Sequence, residues 1–251
     1  MVSAWFVSDI HLKDPNERNG ILFLGFLRSL QRRGHLPTHL FLLGDIFDLW
    51  VGNHDFYYRK FREIVDEIIN LKRMGVDIHY FEGNHDLHIE EFWYDRFKIP
   101  CYVAPYYFQL ENFVLRCEHG DFINQKDRAY LKLREILRSP RVEKLAQTLP
   151  GEAVSYIGEL ASSLSRQGSF QLRRDTAEEM KAMIREYAQT CYVEKSFDLM
   201  VTGHMHVRDD WRTEINDRKL RSINLGSWFE EPQVVHLTQN SPEWIKVRSL
   251  I

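Results

Sequence analysis

Three short apolar segments, each ending in a polar cluster, constrain the fold of this chain more than any other feature. They are AWFVSDIH, HLFLLGDIFD and DIHYFEGNHD, at residues 4–11, 39–48 and 77–86, and each is typical of a buried strand that opens into a polar loop. Residues 20–34 and 56–75, which lie between them, carry apolar side chains at helical spacing and end in a glycine suited to a C-cap. The order β-α-β-α-β predicts a parallel sheet with right-handed crossovers. Ligands of such sheets bind beyond the carboxyl ends of the strands, where all three polar clusters fall.

The pattern changes after the third of these strands. Residues 106–121 are predicted to form two strands around a turn. Residues 197–206 are predicted to form a buried strand, and the chain after them has the alternation of an antiparallel meander. Residues 125–194 have a long helical pattern, although about one helix would be enough to connect two such strands. We therefore expect a single α/β domain over residues 1–251, with residues 125–194 inserted into it as a helical cap.

Charge and cysteine content exclude several classes of protein. The chain of 251 residues has 33 Lys and Arg against 36 Asp and Glu, so its overall charge does not favour nucleic-acid binding. Three widely spaced cysteines form no CxxC pair, which argues against a disulfide framework or a thiolate zinc site. The sequence starts without a basic leader and has no apolar run of bilayer length. We expect a cytoplasmic protein.

The tetrapeptide GNHD occurs twice, at residues 52–55 and 83–86. Asn53 follows Asp45 too closely for a parallel crossover, so the first copy should lie in the loop that leaves the second strand. Asn84 instead ends the third strand. We therefore expect the second copy to carry the chemistry, and the first to be a coincidental loop sequence or a contact to substrate.

Polar side chains suited to metal binding recur at the predicted strand ends. A strand that turns into a loop can present alternate side chains toward one point, so Asp-x-His and His-x-His are informative spacings. The set contains carboxylate, imidazole and amide groups but no thiolate, which suits divalent Mn, Fe or Zn. A single histidine would more often be structural, but five clusters predict one shared site. Its members are Asp9, His11, Asp45, Asn84, His85, Asp86, His119, His204 and His206.

The motifs SDIH, LGDIFD, EGNHD, EHGD and TGHMH occur in this order between residues 8 and 206. In this order they resemble the calcineurin-like metallophosphoesterase family, whose pattern is D-x-H, G-D, G-N-H-D, H and G-H-x-H. The resemblance implies an αββα fold, two β-sheets flanked by helices, that holds two divalent ions. We expect Mn²⁺, with Zn²⁺ or Fe as alternatives.

The same resemblance implies a role for each motif residue. One ion would be bound by Asp9, His11, Asp45 and His206. The other would be bound by Asp45, Asn84, His119 and His204, so that Asp45 bridges the two. His85 would face the substrate as a proton donor or hydrogen-bond donor, and Asp86 would orient it. For Asp86, a loop-capping aspartate is the alternative.

Residues 44–52 (GDIFDLWVG) and 119–130 (HGDFINQKDRAY) further resemble the UDP-2,3-diacylglucosamine hydrolases. This resemblance implies hydrolysis at the α-phosphorus to UMP and 2,3-diacylglucosamine 1-phosphate, a step of lipid A biosynthesis. It implies that the substrate contacts Asn84, His85, Asp127 and Tyr130. For the last two, an ordinary helix N-terminus is the alternative.

Cationic contacts from the last helix of the cap are harder to assign. Arg173, Arg174 and Lys181 are the candidates, without a clean match to the family. The sequence departs from the UDP-2,3-diacylglucosamine hydrolases at two further places. It has His85 where they often have Arg, and residues 52–55 replace their G-D-D-D.

The predicted cap is both basic and apolar. Basic residues outnumber acidic ones between residues 126 and 185, and residues 142–164 are rich in Leu, Ile, Val and Ala. Such a lid suits an acylated diphosphate, a nucleotide-linked lipid, at a membrane surface. We expect contact with the inner face of the membrane through the cap. The alternative is that these aliphatic side chains pack the cap onto the core.

Two other functions fit parts of the sequence. A generic phosphodiesterase acting on nucleotides or nucleic acid would need an open basic groove in place of a lid, although the overall charge leads us to expect no nucleic acid. A catalytically silent binding scaffold could lose ligands without penalty, yet every ligand position is filled. The sequence leaves the oligomeric state open.

Overall fold

A computed structural model describes residues 2–32, 36–157 and 176–251. The helices are α1 (Arg18–Leu30), α2 (Asp55–Lys60), α3 (Arg62–Arg73), α4 (Arg128–Leu137), α5 (Pro140–Thr148), α6 (residue 151 onward, described to 157) and α7 (Ala177–Glu194). The strands are β1 (Ser3–Val7), β2 (His39–Leu42), β3 (Trp50–Val51), β4 (Asp77–Phe81), β5 (Asp86–Leu87), β6 (Cys101–Tyr102), β7 (Tyr106–Leu110), β8 (Phe113–Cys117), β9 (Leu199–Thr202), β10 (Arg208–Ile215), β11 (Arg218–Leu225), β12 (Gln233–Thr238) and β13 (Ser241–Lys246).

The first sheet has the order β13-β12-β1-β2-β4-β6. Its strands β1, β2, β4 and β6 are parallel, as the β-α-β-α-β pattern predicts. Successive side chains of β1 face opposite sides of the sheet. Trp5 and Val7 pack with residues of α1 and α3, whereas Ala4 and Phe6 face the second sheet. The apolar run is therefore buried on both faces, which explains why it lacks a polar alternation.

Helices α1 and α3 cover the outer face of the first sheet. The helix predicted over residues 56–75 is divided at Phe61 into α2 and α3, and Gly75 follows its end with a φ of 97°, in the left-handed region that glycine adopts readily. Helix α1 ends at Leu30, and the glycine predicted to cap it, Gly34, lies outside the described residues.

The second sheet has the order β10-β11-β9-β8-β7 and packs on the first through a shared apolar layer. Helix α7 covers its outer face, where Ile184, Tyr187 and Ala188 pack with Met200 and Leu220. The layers are thus helix, sheet, sheet, helix, and the predicted αββα fold is confirmed. The predicted cap, residues 125–194, includes this outer-layer helix.

The predicted meander is divided between the two sheets. β10 and β11 form a hairpin in the second sheet, whereas β12 pairs antiparallel with β1 in the first. The connection between them carries Trp228, whose side chain is buried in the first sheet's outer core. Among the described residues, no helix is both long and apolar enough to span a bilayer.

Candidate metal centre

All seven predicted metal ligands lie just beyond the carboxyl ends of strands. The strands β1, β2 and β4 of the first sheet lead to Asp9, His11, Asp45 and Asn84, and β8 and β9 of the second sheet lead to His119, His204 and His206. Because the two sheets pack face to face, these ends meet at one edge of the sandwich. The structure brings the predicted set together.

The first group of potential ligands consists of Asp9, His11, Asp45 and His206, whose ligand atoms lie within 4.8 Å of one another. The His206 Nε2 atom is 3.2 Å from Asp9 Oδ1 and 3.1 Å from His11 Nε2. Burial lowers the pKa of His11 to about 4. A neutral imidazole is the form that binds a metal ion.

The second group consists of Asp45, His119 and His204, again within 4.8 Å of one another. Asn84 Oδ1 lies 3.0 Å from His204 Nδ1 and 3.3 Å from His119 Nε2. The Asp45 Oδ2 atom is 3.6 Å from His119 Nε2 and 3.8 Å from His11 Nε2. One carboxylate oxygen thus faces both groups, which is the geometry that a bridging ligand requires.

The hydrogen bonds of the second group fit a cation. His119 Nδ1 lies 2.8 Å from the Leu43 carbonyl oxygen and donates to it, so the Nε2 lone pair points toward Asn84 Oδ1 and Asp45 Oδ2. Three acceptors converge there, and a positive charge between them would satisfy all three. Burial lowers the pKa of His119, but without an ion the Asp45 and Asp9 carboxylates outweigh burial and raise this pKa to about 9, so a bound ion would replace a proton at Nε2.

The backbone at these strand ends is strained. Asp9, His11, Asp45, His204 and His206 all have φ between 51° and 67°, the left-handed region that a non-glycine residue rarely adopts. Such strain, on the order of 1–3 kcal/mol for each residue, is typical of functional sites. The five side chains are therefore held in place by packing that outweighs this cost.

Glycines at two of the motifs permit close approach of the loops. A Cβ atom at Gly83 would overlap the Asp45 carboxylate, and one at Gly203 would overlap the Asp9 carboxylate. The peptide N–H of His204, next to Gly203, donates to both Asp9 oxygens at 3.0 and 3.1 Å. Each motif glycine is thus needed so that a neighbouring loop can reach a carboxylate.

The Asp86 carboxylate does not contact the His85 ring as expected. It accepts hydrogen bonds from the peptide N–H groups of Asp45, Ile46 and Gly83 at 2.6–3.1 Å, and from the Tyr80 hydroxyl at 2.7 Å. The ring of His85 is oriented by the Asp48 carbonyl oxygen, 2.7 Å from Nδ1. The Asp86 carboxylate is fully buried, and its contacts are those of the loop-capping alternative.

Asp86→Ala is expected to destabilise the fold by at least about 3 kcal/mol, since it leaves several buried donors unpaired. Urea unfolding monitored by tryptophan fluorescence measures this, with the exposed Asp95→Ala as the matched control. Wild-type stability combined with lost turnover would instead support the role in orienting His85.

Two residues near the site were missed by sequence reasoning. Asp48 forms a third potential ligand group with His11 and His85, and its position three residues after Asp45 in GDIFD was an available signal. Phe229 lies over the first group, with its ring centroid 5.2 Å from that of His11. It follows Trp228 in a turn, and nothing local to that sequence indicates proximity to residue 11.

The first GNHD copy lies in the loop beside the site, as expected. Strand β3, which directly precedes this copy, pairs with β5, which begins at the last residue of the second copy, so Trp50 is in register with Asp86. His54 Nε2 is 3.0 Å from the carbonyl oxygen of Ala146 in α5. This copy contacts the helical insertion, and it contributes to none of the potential ligand groups among the described residues.

The predicted substrate contacts are in different surroundings. Asp127 is the N-cap of α4 and accepts from the Tyr130 N–H at 2.9 Å. The Tyr130 ring lies 5.5 Å from that of His204, and its hydroxyl is buried without a hydrogen-bond partner among the described residues. Lys181 pairs with Glu178 at 2.8 Å. Arg173 and Arg174 lie outside the described residues.

The chain thus combines an αββα fold with two potential ligand groups that share Asp45. The fold is similar to that of a solved archaeal phosphodiesterase, with a TM-score of 0.51 and 11% sequence identity over 98% of this chain and 99% of that one. No family model matches the sequence.

The chain is also similar, over nearly its full length, to curated UDP-2,3-diacylglucosamine hydrolases. The relative from Neisseria meningitidis is 29% identical over 92% of each chain. The relative from Stenotrophomonas maltophilia is 27% identical over 95% of this chain and 96% of its own. The resemblance inferred from the sequence motifs is confirmed.

Proposed function

We propose that the protein hydrolyses UDP-2,3-diacylglucosamine at the α-phosphorus, giving UMP and 2,3-diacylglucosamine 1-phosphate. The observation that carries the proposal is the Asp45 carboxylate, one oxygen of which faces two groups of metal-capable side chains. The similarity to UDP-2,3-diacylglucosamine hydrolases over most of the chain supports the choice of substrate.

Two divalent ions, for which we propose Mn²⁺, would be held by the two groups. Asp9, His11, Asp45 and His206 would hold one, and Asp45, Asn84, His119 and His204 the other. When bound, the ions would supply an activated water and neutralise charge on the phosphate oxygens. The donor set of carboxylate, imidazole and amide supports a divalent ion of this type.

The His85 ring would serve as the donor to the departing phosphate oxygen. Its Nδ1–H donates to the Asp48 carbonyl, which leaves Nε2 as the atom that can carry a second proton toward substrate. Its own peptide N–H donates to Asp45 Oδ1 at 2.9 Å. The side chain is therefore held next to the bridging carboxylate, as a positioned acid requires.

The helical segment over residues 125–194 would act as a cap that receives the acyl chains. Leu133 and Ile136, three residues apart on one face of α4, are exposed, as are Leu145 of α5 and Tyr156 of α6. Exposed apolar side chains on neighbouring helices suit acyl chains or a membrane surface. We propose that the protein contacts the inner face of the membrane through them.

A cavity of about 620 Å³ under α4 and α5 suits acyl chains less well. Most of its lining is charged or polar, and among the described residues the apolar members are Val103, Phe122 and Leu131; the others are Glu82, His88, Glu90, Arg134, Glu135, Arg138 and Glu143. Burying methylenes against such a wall would remove water from its charged side chains, which costs free energy. The proposal therefore assigns the acyl chains to the exposed faces of the helices.

Acyl-chain length provides the test. Shortening both chains by two carbons is expected to reduce kcat/KM by up to roughly 100-fold, the value reached when each removed CH₂ is fully buried and contributes about 0.8 kcal/mol. UMP release from UDP-diacylglucosamines of different chain length measures this, with bis-p-nitrophenyl phosphate as the substrate that lacks acyl chains.

Two variants test whether the dependence on acyl-chain length arises at α4. Leu133→Ser with Ile136→Ser should flatten the chain-length dependence, whereas Val193→Ser, at an exposed aliphatic of α7, should leave it unchanged. Equal efficiency toward UDP-sugars with and without acyl chains would contradict the proposal and favour a generic phosphodiesterase.

A further inference from the structure

Phe229 is an exposed aromatic side chain at the rim of the candidate metal centre. The residue is 59% exposed. Its ring is nearly parallel to that of His11, with an interplanar angle of 15° and a centroid distance of 5.2 Å. It meets the His206 ring edge-on at 5.3 Å. One side of the phenyl ring thus contacts ligands of the first group, while most of its surface faces solvent.

The turn that carries Phe229 is anchored on both sides. The preceding residue, Trp228, is buried, and its N–H donates to the carbonyl oxygen of Asp9 at 3.1 Å. Its indole N–H donates to the Gln233 carbonyl at 3.1 Å. On the other side, the Arg18 guanidinium donates to the Glu230 carbonyl at 3.2 and 3.3 Å. The exposed ring is therefore held in position before any ligand arrives.

Two aromatic rings flank the centre, one at each ligand group. Tyr130 contacts His204 of the second group and belongs to α4, where the proposed acyl-chain surface begins. Phe229 contacts His11 and His206 of the first group. A substrate with a phosphate between the groups would have one substituent on each side. With the lipid toward Tyr130 and α4, the nucleoside extends toward Phe229.

We propose that Phe229 is the stacking platform for the uracil ring, and that it determines specificity for the nucleotide half of the substrate. The proposal rests on the proposed function for the identity of that half. A planar base can stack on an exposed, prepositioned aromatic ring, and such stacking needs a π-face, which an aliphatic side chain lacks. In the bound state, the uracil ring would then cover the exposed face of the Phe229 ring.

Binding of UMP and of ribose 5-phosphate to the Mn²⁺-loaded protein tests this by calorimetry, without reliance on turnover. Phe229→Ala should weaken UMP binding about 10-fold, the scale of one base stacked on an aromatic ring, and should change ribose 5-phosphate binding by less than about twofold. Phe229→Leu should behave like the alanine variant. Phe229→Trp should retain UMP binding, and UMP should quench its added indole fluorescence.

Controls separate stacking from shielding of the metal ligands. Metal content of each variant is measured, because Phe229 contacts two ligand rings, and Tyr94→Ala removes a comparably exposed aromatic outside the site. Equal weakening of UMP and ribose 5-phosphate by Phe229→Ala, or unchanged UMP binding, would overturn the proposal. If kcat/KM did not depend on acyl-chain length but Phe229→Ala still weakened UMP binding selectively, the lipid substrate would be contradicted and the stacking role of Phe229 would stand.

Discussion

Asp45→Ala is expected to lower occupancy of both metal sites and to reduce kcat/KM by at least about 1,000-fold, since a metal ion contributes several kcal/mol to transition-state stabilisation. The reason is geometric: Asp45 Oδ2 lies 3.6 Å from His119 Nε2 and 3.8 Å from His11 Nε2, so one side chain serves both groups. Elemental analysis of protein purified in the presence of Mn²⁺, together with turnover of bis-p-nitrophenyl phosphate, measures the two effects.

His11→Ala is the matched comparison for this prediction. His11 belongs to the ligand group that also contains His206, and the second group of Asp45, His119 and His204 does not include it. It should therefore weaken mainly one site. An Asp45→Ala protein that keeps two full equivalents of metal would contradict the bridging assignment. Circular dichroism confirms that each variant is folded before its metal content is compared.

His85→Ala is expected to reduce kcat by between about 100- and 10,000-fold, the usual range for a positioned acid or base, with little loss of metal. The ring is not a member of either group around Asp45, and its Nδ1 is committed to the Asp48 carbonyl oxygen. Turnover and metal content measured on the same preparation separate the loss of a proton donor from the loss of an ion.

The first GNHD copy offers an internal control for His85. His54→Ala removes the same side chain from the same tetrapeptide, but His54 contacts the carbonyl of Ala146 in α5. We expect less than about a tenfold change in turnover of bis-p-nitrophenyl phosphate, because no acid or base is removed. If His54→Ala proved more damaging than His85→Ala, the assignment of chemistry to the second copy would be wrong.

The sequence alone indicated that the metal-capable side chains at the strand ends would lie together. Apolar runs of strand length and helical segments between them specified a parallel sheet, and the parallel arrangement places all strand ends on one side. Asp9, Asp45 and Asn84 therefore had to lie near one another. Ligand positions are predictable in this way because each depends on the end of its own strand, which is a local property of the chain.

Contacts between loops depended on the tertiary structure. Asp86 was expected to orient its neighbour His85, but its carboxylate binds backbone donors of Asp45 and Ile46, from a different loop. Adjacent residues at the end of a strand point in different directions, so sequence proximity did not imply contact. The Asp48 carbonyl took the orienting role because β3 and β5 pair and bring the two loops together.

The division of the last four strands was decided in the same way. Their alternating pattern fits an antiparallel meander in one sheet, yet β12 pairs with β1 and β10–β11 stay with β9. The sequence determined the strands and the metal-capable side chains at their ends, since these follow from local hydrophobic pattern. Only the tertiary structure placed Phe229 over His11. Its neighbour Trp228 is buried in the outer core of the first sheet against Phe23 of α1, and that contact depends on how distant segments pack.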